Sequence, residues 1–223
     1  MVKPGFVNLS REEQENILEA AVDEFSQKDY DSASINQIIQ NAGISKGSMY
    51  HYFHSKEDLY MYMLNRVMEE KAIFLKEAMQ NLDRPLHELD FFESLAFQME
   101  AAVQFAKKNY RYHMISNHLQ NMPDNALKER IWGKFRNAFD QYIASMVDQA
   151  IEAGEVRKDL GREFIIRILG FIIINFADIY PDYRELLQKG DDVMLKEMKK
   201  LVDFFKFGLS EDPQQRRKND ELF

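Results

Sequence analysis

The segment from residue 46 to residue 53, KGSMYHYF, carries side chains that could contact a nucleic acid. On an α-helix, Met49 and Phe53 would share one apolar face. The opposite face would be small, polar and cationic, and three residues would lie at its centre: Gly47, Ser48 and His51. Hydrogen-bonding side chains would lie on its two flanks: Lys46, Tyr50 and Tyr52. Such a helix could enter a groove of DNA and contact both walls, although a short surface helix on an all-α core would show the same pattern.

Two short helices set at an angle are predicted at residues 34–53. Ser34 can cap the first helix, and Gln37 can complete a capping box with it. Gly43 tolerates the left-handed conformation that ends many helices. Ser45 is placed to cap the second helix. This order of helix caps and helix ends predicts a helix-turn-helix. Ser34, at the start of its first helix, is also a candidate DNA-binding residue.

Negative charge is absent from this region. The chain has 37 Asp and Glu in 223 residues, so a window of 25 residues should contain about four of them, yet residues 32–56 contain none. Residues 1–56 as a whole carry five Lys and Arg and eight Asp and Glu. We infer that only the contact surface is kept clear of negative charge, as close approach to a polyanion requires.

The sequence AGISKGSMYHYFHSKEDLY, residues 42–60, resembles the helix-turn-helix signature of the tetracycline-repressor (TetR) family of bacterial regulators. The resemblance covers residues 10 to about 62, and the remainder only in length and helical character. It implies that six positions of the second helix face DNA: Lys46, Gly47, Ser48, Tyr50, His51 and Tyr52. It also implies that Lys56 contacts a phosphate, and that each subunit encloses an effector cavity.

The rest of the chain is predicted to be helical, because no segment alternates with the period of two that a strand needs. A helix from Ser10 to about Lys28 would complete a three-helix domain, and a long fourth helix would run to about Leu82. Further helices are predicted at about 86–107, 110–120, 124–153, 160–180 and 191–209. The predicted fold is thus all-α. An N-terminal DNA-binding domain (1–55) is joined by the long helix to a helical effector-binding and dimerisation domain (56–209), and a disordered tail follows (210–223).

Met, Phe and Tyr are frequent in the predicted second domain. Ordinary core packing explains most of them. Flexible Met side chains beside aromatic rings would also suit an adaptable apolar ligand cavity. The candidate pocket residues are Met68, Phe97, Phe105, Tyr112, Met114, Phe139 and Tyr142.

Two late helices predict a homodimer. Residues 164–179 are apolar on nearly all sides, but their uninterrupted apolar run, residues 168–174, is far shorter than the ~20 residues of a membrane span. Together with the apolar stripe of residues 191–209, they would leave a large exposed patch on a monomer. A two-fold interface would bury it. The candidate interface residues are Phe164, Ile168, Phe171, Ile172, Leu195, Met198, Val202, Phe205 and Leu209.

The residue patterns of other function classes are missing or badly spaced. The chain has no Cys, and His113 and His118 lie five residues apart, which does not align them as a metal-binding pair. No glycine-rich phosphate loop or Gly-x-Ser-x-Gly turn occurs. We therefore expect no catalytic residue, metal or cofactor, and an enzyme is disfavoured. The N-terminus has no apolar core of a signal peptide, which with the lack of Cys favours the cytoplasm and no membrane association.

The function predicted from the sequence is a ligand-responsive DNA-binding transcriptional regulator. It would be a repressor that binds a palindromic DNA operator as a homodimer and is released by a small apolar or amphipathic effector. The alternative is a helical ligand-binding or partner-binding module whose helix-turn-helix contacts protein.

Overall fold

The computed structural model describes residues 2–175 and 191–210. These residues contain helices and no strand, apart from an isolated antiparallel bridge between Val156 and Ser210. The helices are α1 (Pro4–Val7), α2 (Arg11–Gln27), α3 (Ile35–Asn41), α4 (Lys46–Tyr52), α5 (Lys56–Gln80), α6 (Phe91–Lys108), α7 (Tyr110–Gln120), α8 (Ala126–Glu152), α9 (Arg162–Ile174) and α10 (Asp191–Leu209). The predicted all-α fold is therefore confirmed.

Most helix bounds agree with the sequence pattern to within a few residues, and two segments differ. The predicted helix at 86–107 is divided into a short 3₁₀ turn, Leu86–Glu88, and α6. Asp90 separates them, because its side chain accepts a hydrogen bond from the backbone N–H of Glu93 at 2.7 Å. For the predicted helix at 160–180, the structure describes α9 up to Ile174, and residues 176–180 lie outside the described part. The predicted tail from 211 onward also lies outside it.

The chain divides into two compact units, and the first contains the helix-turn-helix. Unit 1 comprises Met1–Phe74 and Phe105–Ile131. In it, α2 packs against α3 and α7, while α4 packs against α1 and α3. Its fully buried side chains come from all the N-terminal helices and include Phe6, Ile17, Ile38, Met49 and Leu59. This unit is larger than the predicted domain of residues 1–55, since it includes α7 and the first part of α5.

Helix α2 is fixed at its start and along its length. Ser10 and Glu13 form a capping box, with the hydroxyl of Ser10 accepting from the backbone N–H of Glu13 at 3.3 Å. Arg111 of α7 forms ion pairs with Glu19, at 2.8 Å, and with Asp23 of α2. These contacts join α7 to the first helix of the predicted DNA-binding domain.

Unit 2 comprises Leu75–Gln104 and Trp132–Phe223. Its core is built from one face each of α6, α8, α9 and α10, and its buried residues include Leu95, Val147, Ile165, Leu169 and Met194. The carboxylate of Glu155 accepts a hydrogen bond from the backbone N–H of Phe91 at 2.7 Å and so holds the start of α6. Within residues 2–175 and 191–210, no helix combines the length and the low charge that a bilayer-crossing segment needs.

Candidate nucleic-acid interface

The first helix of the predicted motif, α3, is capped at its start by two residues. The hydroxyl of Ser34 accepts from the backbone N–H of Gln37 at 3.4 Å, as predicted. The reciprocal bond of a capping box is absent here, since Gln37 donates its side-chain amide to Asn41. The backbone N–H of Ser34 donates instead to Glu24 of α2, at 2.7 Å. The predicted capping box is therefore half formed, and a carboxylate from α2 supplies the other half.

Glu24 is buried, with 4% of its surface exposed. Burial of the carboxylate acts to raise its pKa, but hydrogen bonds from the Lys28 ammonium and the Ser34 backbone outweigh burial and lower the pKa below its ordinary value. The Lys28 ammonium lies 2.8 Å from the carboxylate. A charged Glu24 thus ties α3 to α2 beneath the interface, where it adds no negative charge to the exposed surface.

The turn between α3 and α4 has the geometry that ends a helix at a glycine. Gly43 has a φ of +65°. Its backbone N–H donates to the carbonyl of Gln40, and that of Ile44 donates to the carbonyl of Ile39, both at 3.2 Å. These two bonds form a Schellman motif. Ser45 then caps α4, accepting from the backbone N–H of Ser48 at 3.0 Å. The predicted end of the first helix before Gly43 and the predicted start of the second helix after Ser45 are both confirmed.

Helix α4 has the orientation that its sequence predicts. Met49 and Phe53 are fully buried. The opposite side is exposed and free of carboxylates along the helix: Lys46, Gly47, Tyr50 and His51. The surface therefore offers an ammonium, a phenol and an imidazole, groups that can bind phosphate oxygens and base edges.

Two further candidates on α4 are partly engaged within the protein. The hydroxyl of Ser48 lies 2.8 Å from that of Ser45. The ring of Tyr52 is half-buried and packs edge-on against Phe6, with 6.1 Å between centroids. Both side chains support the helix, and each retains an accessible part.

Lys56 is bound inside unit 1. Its ammonium donates to the carbonyls of Tyr30, Asp31 and Ala33, at 2.6, 3.3 and 2.9 Å. It also lies 4.6 Å from the centre of the Tyr30 ring. An ammonium has three N–H donors, so these three carbonyls occupy all of them. The predicted phosphate contact would require Lys56 to release at least one carbonyl.

Sequence reasoning missed the short helix α1. Its Phe6 is 1% exposed and packs against Phe53 and Tyr62, with centroids 4.9 and 5.0 Å apart. Lys3, just before α1, donates its backbone N–H to the carbonyl of Tyr52 at 3.0 Å and its ammonium to that of Tyr50 at 2.7 Å. The available signal was Pro4, a residue common at the first position of a helix.

The predicted pocket residues are divided between the two units. In unit 1, Phe105 and Tyr112 are buried and their rings stack at 6.1 Å, whereas Met114 is half-buried and Met68 is exposed. In unit 2, Phe97 and Phe139 are half-buried, and the exposed Tyr142 donates its hydroxyl to Gln98. Phe105 and Tyr112 therefore serve as core in unit 1, while the other five have accessible surface.

Unit 2 contains an open groove of about 350 Å³ between α6 and α10. Apolar residues line part of it: Phe92, Ala96, Leu195, Met198 and Val202. Charged residues line the rest: Glu93, Glu100, Lys199, Asp203 and Lys206. None of the seven predicted pocket residues lines this groove.

The predicted dimer residues fall into two groups. On α10, four are buried in the core of their own chain: Met198, Val202, Phe205 and Leu209. Because one chain already covers this stripe, it is not a free surface, which corrects this part of the predicted interface; Leu195 beside it is half-buried. On α9, Phe164 and Phe171 are 54% and 65% exposed, and Ile168 and Ile172 are half-buried. Phe204 of α10, which the sequence places at the widened edge of this stripe but not among the candidate interface residues, is 66% exposed.

His, Asp and Glu side chains do not gather into a metal-binding group in the described part of the chain. The ring of His118 lies 3.2 Å from the carbonyl of Ser26, which gives this histidine a structural contact between α7 and α2.

Comparison with known proteins agrees with this geometry. Residues 17–63 match the family model for bacterial regulatory proteins of the tetR family. Over 149 residues the chain is 25% identical to the uncharacterized HTH-type transcriptional regulator YhgD of Bacillus subtilis, which covers 67% of this chain and 74% of that protein.

Solved structures share the fold along nearly the whole chain. A TetR family transcriptional regulator from Chloroflexus aurantiacus is 28% identical, with a TM-score of 0.67 and coverage of 94% of this chain and 99% of that one. The regulator FadR of Bacillus subtilis, solved in complex with stearoyl-CoA, has a TM-score of 0.61 at 18% identity, covering 84% and 96% of the two chains.

Proposed function

We propose that this chain, a member of the TetR family of bacterial regulatory proteins, is a transcriptional repressor that binds a palindromic operator as a homodimer in the cytoplasm and releases it when an effector binds. The observation that carries the proposal is the exposed face of α4, where Lys46, Tyr50 and His51 are presented from a helix whose opposite side is fully buried. A helix held in this way can enter a major groove without unfolding any core contact.

Within this face, His51 is proposed to contact base edges and Lys46 a phosphate. His51 lies at the centre of the face, and an imidazole can donate or accept at a base edge. Lys46 lies at the flank, where the groove wall carries phosphates. Gly47 and Ser48 would let the backbone of α4 approach the DNA, and Tyr50 and Tyr52 would contact the walls from either side. Ser34, at the start of α3, would face the backbone of the duplex.

The DNA-binding proposal is tested by selecting sequences from a randomised duplex library and measuring mobility shifts at moderate salt. The wild-type protein should enrich a palindromic sequence. His51→Ala should alter the enriched sequence, while Lys46→Ala should weaken binding to all sequences and flatten its salt dependence. No enriched sequence with the wild-type protein would count against the function, whereas uniform loss of affinity in His51→Ala would count only against its assigned role.

The dimer interface is proposed to lie on the exposed aromatic face of α9 and α10. Phe164, Ile168 and Phe171 are spaced by four and three residues, so they share one side of α9. Phe204 projects from α10 and is as exposed as Phe171. Three large aromatic side chains on the surface of a single unit are costly in water unless another surface covers them. A second copy of the chain would cover them and give the two-fold symmetry of a palindrome.

Light scattering of variants tests this interface. The wild-type protein should be a dimer at micromolar concentration, and Phe171→Asp or Phe204→Asp should give folded monomers that bind the operator weakly. Tyr110→Ser is the matched control, because Tyr110 is also exposed but lies on α7 in unit 1. A dimeric Phe171→Asp, Phe204→Asp double variant would show that the interface lies elsewhere.

The effector is proposed to be apolar or amphipathic. In unit 2, the accessible side chains of Phe97, Phe139 and Tyr142 offer aromatic and phenolic surface. In unit 1, those of Met68 and Met114 offer thioether surface. A long-chain acyl thioester is the ligand of one regulator with the same fold. The effector would release DNA only if it binds the non-binding arrangement of the recognition helices more tightly.

Mass spectrometry of organic extracts from the purified protein should identify a bound apolar molecule. Titration of the operator complex with that molecule should then lower operator affinity. A molecule that binds tightly and leaves operator affinity unchanged would contradict the proposed coupling, while the DNA-binding proposal would stand.

A further inference from the structure

We propose that the N-terminal segment, residues 3–7, sets the orientation of His51 and that Gly5 is a specificity-determining position for DNA recognition. This inference rests on the proposed DNA-binding function. The segment precedes residues 17–63, which match the family model. It lies against the last turn of the recognition helix α4 and contacts the residue at the centre of its exposed face.

The segment is held on α4 by both its backbone and its side chains. The backbone N–H of Lys3 donates to the carbonyl of Tyr52 at 3.0 Å, and its ammonium donates to the carbonyl of Tyr50 at 2.7 Å. The last carbonyls of a helix have no partner within the helix, and a cation there is favoured by the helix dipole. Phe6 closes the contact, because its ring is fully buried against Phe53. The segment is therefore fixed at three points.

Between these points, Gly5 leaves the space that the imidazole of His51 occupies. A Cβ built on Gly5 would lie 2.4 Å from both Cδ2 and Nε2 of His51. Heavy atoms of two residues do not approach so closely without a bond, so any other residue at position 5 must displace the ring. The conflict involves the far end of a flexible side chain, and the ring can move by rotation about its side-chain torsions without disturbing the backbone of α4.

The displaced ring would present its nitrogens in new directions. Discrimination between bases in the major groove depends on the positions of donors and acceptors. A residue that touches no DNA can therefore change the sequence that the protein selects, since it decides where Nδ1 and Nε2 of His51 point. Lys3 and Phe6 hold Gly5 in place and are positioning residues in the same sense.

Gly5→Ala is the direct test, with sequence selection from a randomised duplex library as the readout. The variant should fold, because Gly5 lies within α1 with an ordinary backbone conformation and alanine favours a helix over glycine. We expect its preference to change by about fivefold or more at the base pairs that His51→Ala affects, the lower end of what a base contact contributes. Gly133→Ala is the matched control, since Gly133 also lies in a helix but a Cβ there would meet nothing within 4 Å. The DNA sequence preference of Gly133→Ala should equal that of the wild type.

A double-mutant cycle makes the assignment specific. In a His51→Ala background, Gly5→Ala should cause no further change, because the ring that it displaces is gone. The imidazole NMR signals of His51 in the free protein should also shift in Gly5→Ala and remain unchanged in Gly133→Ala.

Three results would overturn the inference: unchanged imidazole signals in Gly5→Ala, unchanged preference where His51→Ala changes it, or an equal effect of Gly5→Ala with and without His51. Failure of the proposed function would be recognised separately, since the wild-type protein itself would then enrich no sequence.

Discussion

Replacing Lys56 with methionine should destabilise unit 1 without removing a phosphate contact. Methionine keeps most of the apolar stem and deletes the ammonium, which donates to the carbonyls of Tyr30, Asp31 and Ala33. A hydrogen bond from a charged group is worth about 1.5–3 kcal/mol. Ala33 is buried, whereas Tyr30 is half-buried and Asp31 is exposed, so water can replace only part of what the ammonium donates. The cation over the Tyr30 ring adds about 0.5–1 kcal/mol. We expect a net loss of about 2 kcal/mol in the free energy of unfolding.

Thermal unfolding and salt-dependent operator binding together decide between the two roles of Lys56. A loss of about 2 kcal/mol corresponds to a fall of about 4–8 °C in the melting temperature of a chain of this size. The slope of log affinity against log salt should remain that of the wild type, because no phosphate contact has been lost.

Lys46→Met is the matched control. Lys46 is exposed, and its ammonium has no bonded partner among the residues that the structure describes. This variant should melt like the wild type, and its salt slope should be smaller in magnitude by about 0.9, the value of one phosphate contact. A Lys56→Met variant that melts like the wild type and shows this reduced slope would refute the structural role of Lys56, because the ammonium would then bind phosphate in the complex.

Three further substitutions test a buried carboxylate, a helix cap and the core of unit 2. Glu24→Gln should lower the free energy of unfolding by about 1–3 kcal/mol at pH 7 in urea titrations. Folding lowers the pKa of Glu24. The wild type should therefore be more stable than the variant at any pH above the pKa of the unfolded carboxyl, about 4.3. This difference in stability should disappear as the pH falls through the pKa of the folded carboxyl. Ser45→Ala should cost about 1 kcal/mol, since α4 loses its cap, and circular dichroism melts would measure it. Phe205→Asp should yield insoluble or unfolded protein instead of a folded monomer, as light scattering and circular dichroism would show, because Phe205 is buried within its own chain.

The helix-turn-helix was predictable because its signals are local. Ser34, Gly43 and Ser45 each act on backbone groups within a few residues, and Met49 and Phe53 fix which side of α4 is buried. The features that were missed depend on partners distant in sequence. Glu24 reaches Ser34 from another helix, and nothing near Ser34 indicates this. Likewise, the carbonyls that bind Lys56 lie more than 20 residues before it.

Helix α10 shows where periodicity reaches its limit. Phe204 and Phe205 are adjacent, equally apolar residues. The pattern placed Phe205 in the main apolar stripe, which was predicted to form the interface, and Phe204 at its edge. An apolar stripe on a helix indicates that this side of the helix is buried. It does not indicate whether the same chain or a second chain buries it. The structure buries Phe205 in its own core and leaves Phe204 exposed. Similarly, α1 is too short to show any periodicity, so its contact with α4 had no sequence signal beyond Pro4.

The packing of α7 on α2 has a consequence for how such regulators can be recombined. A chimaera that joins residues 1–55 to the second domain of another regulator would separate α2 from α7. Glu19 and Asp23 would lose Arg111, and the side of α2 that α7 covers would meet a foreign surface. An exchange that transfers residues 105–131 together with residues 1–74 keeps this surface intact. To transfer operator specificity, two separate segments of the chain must therefore be exchanged together. The smaller segment, residues 105–131, contains none of the residues proposed to contact DNA.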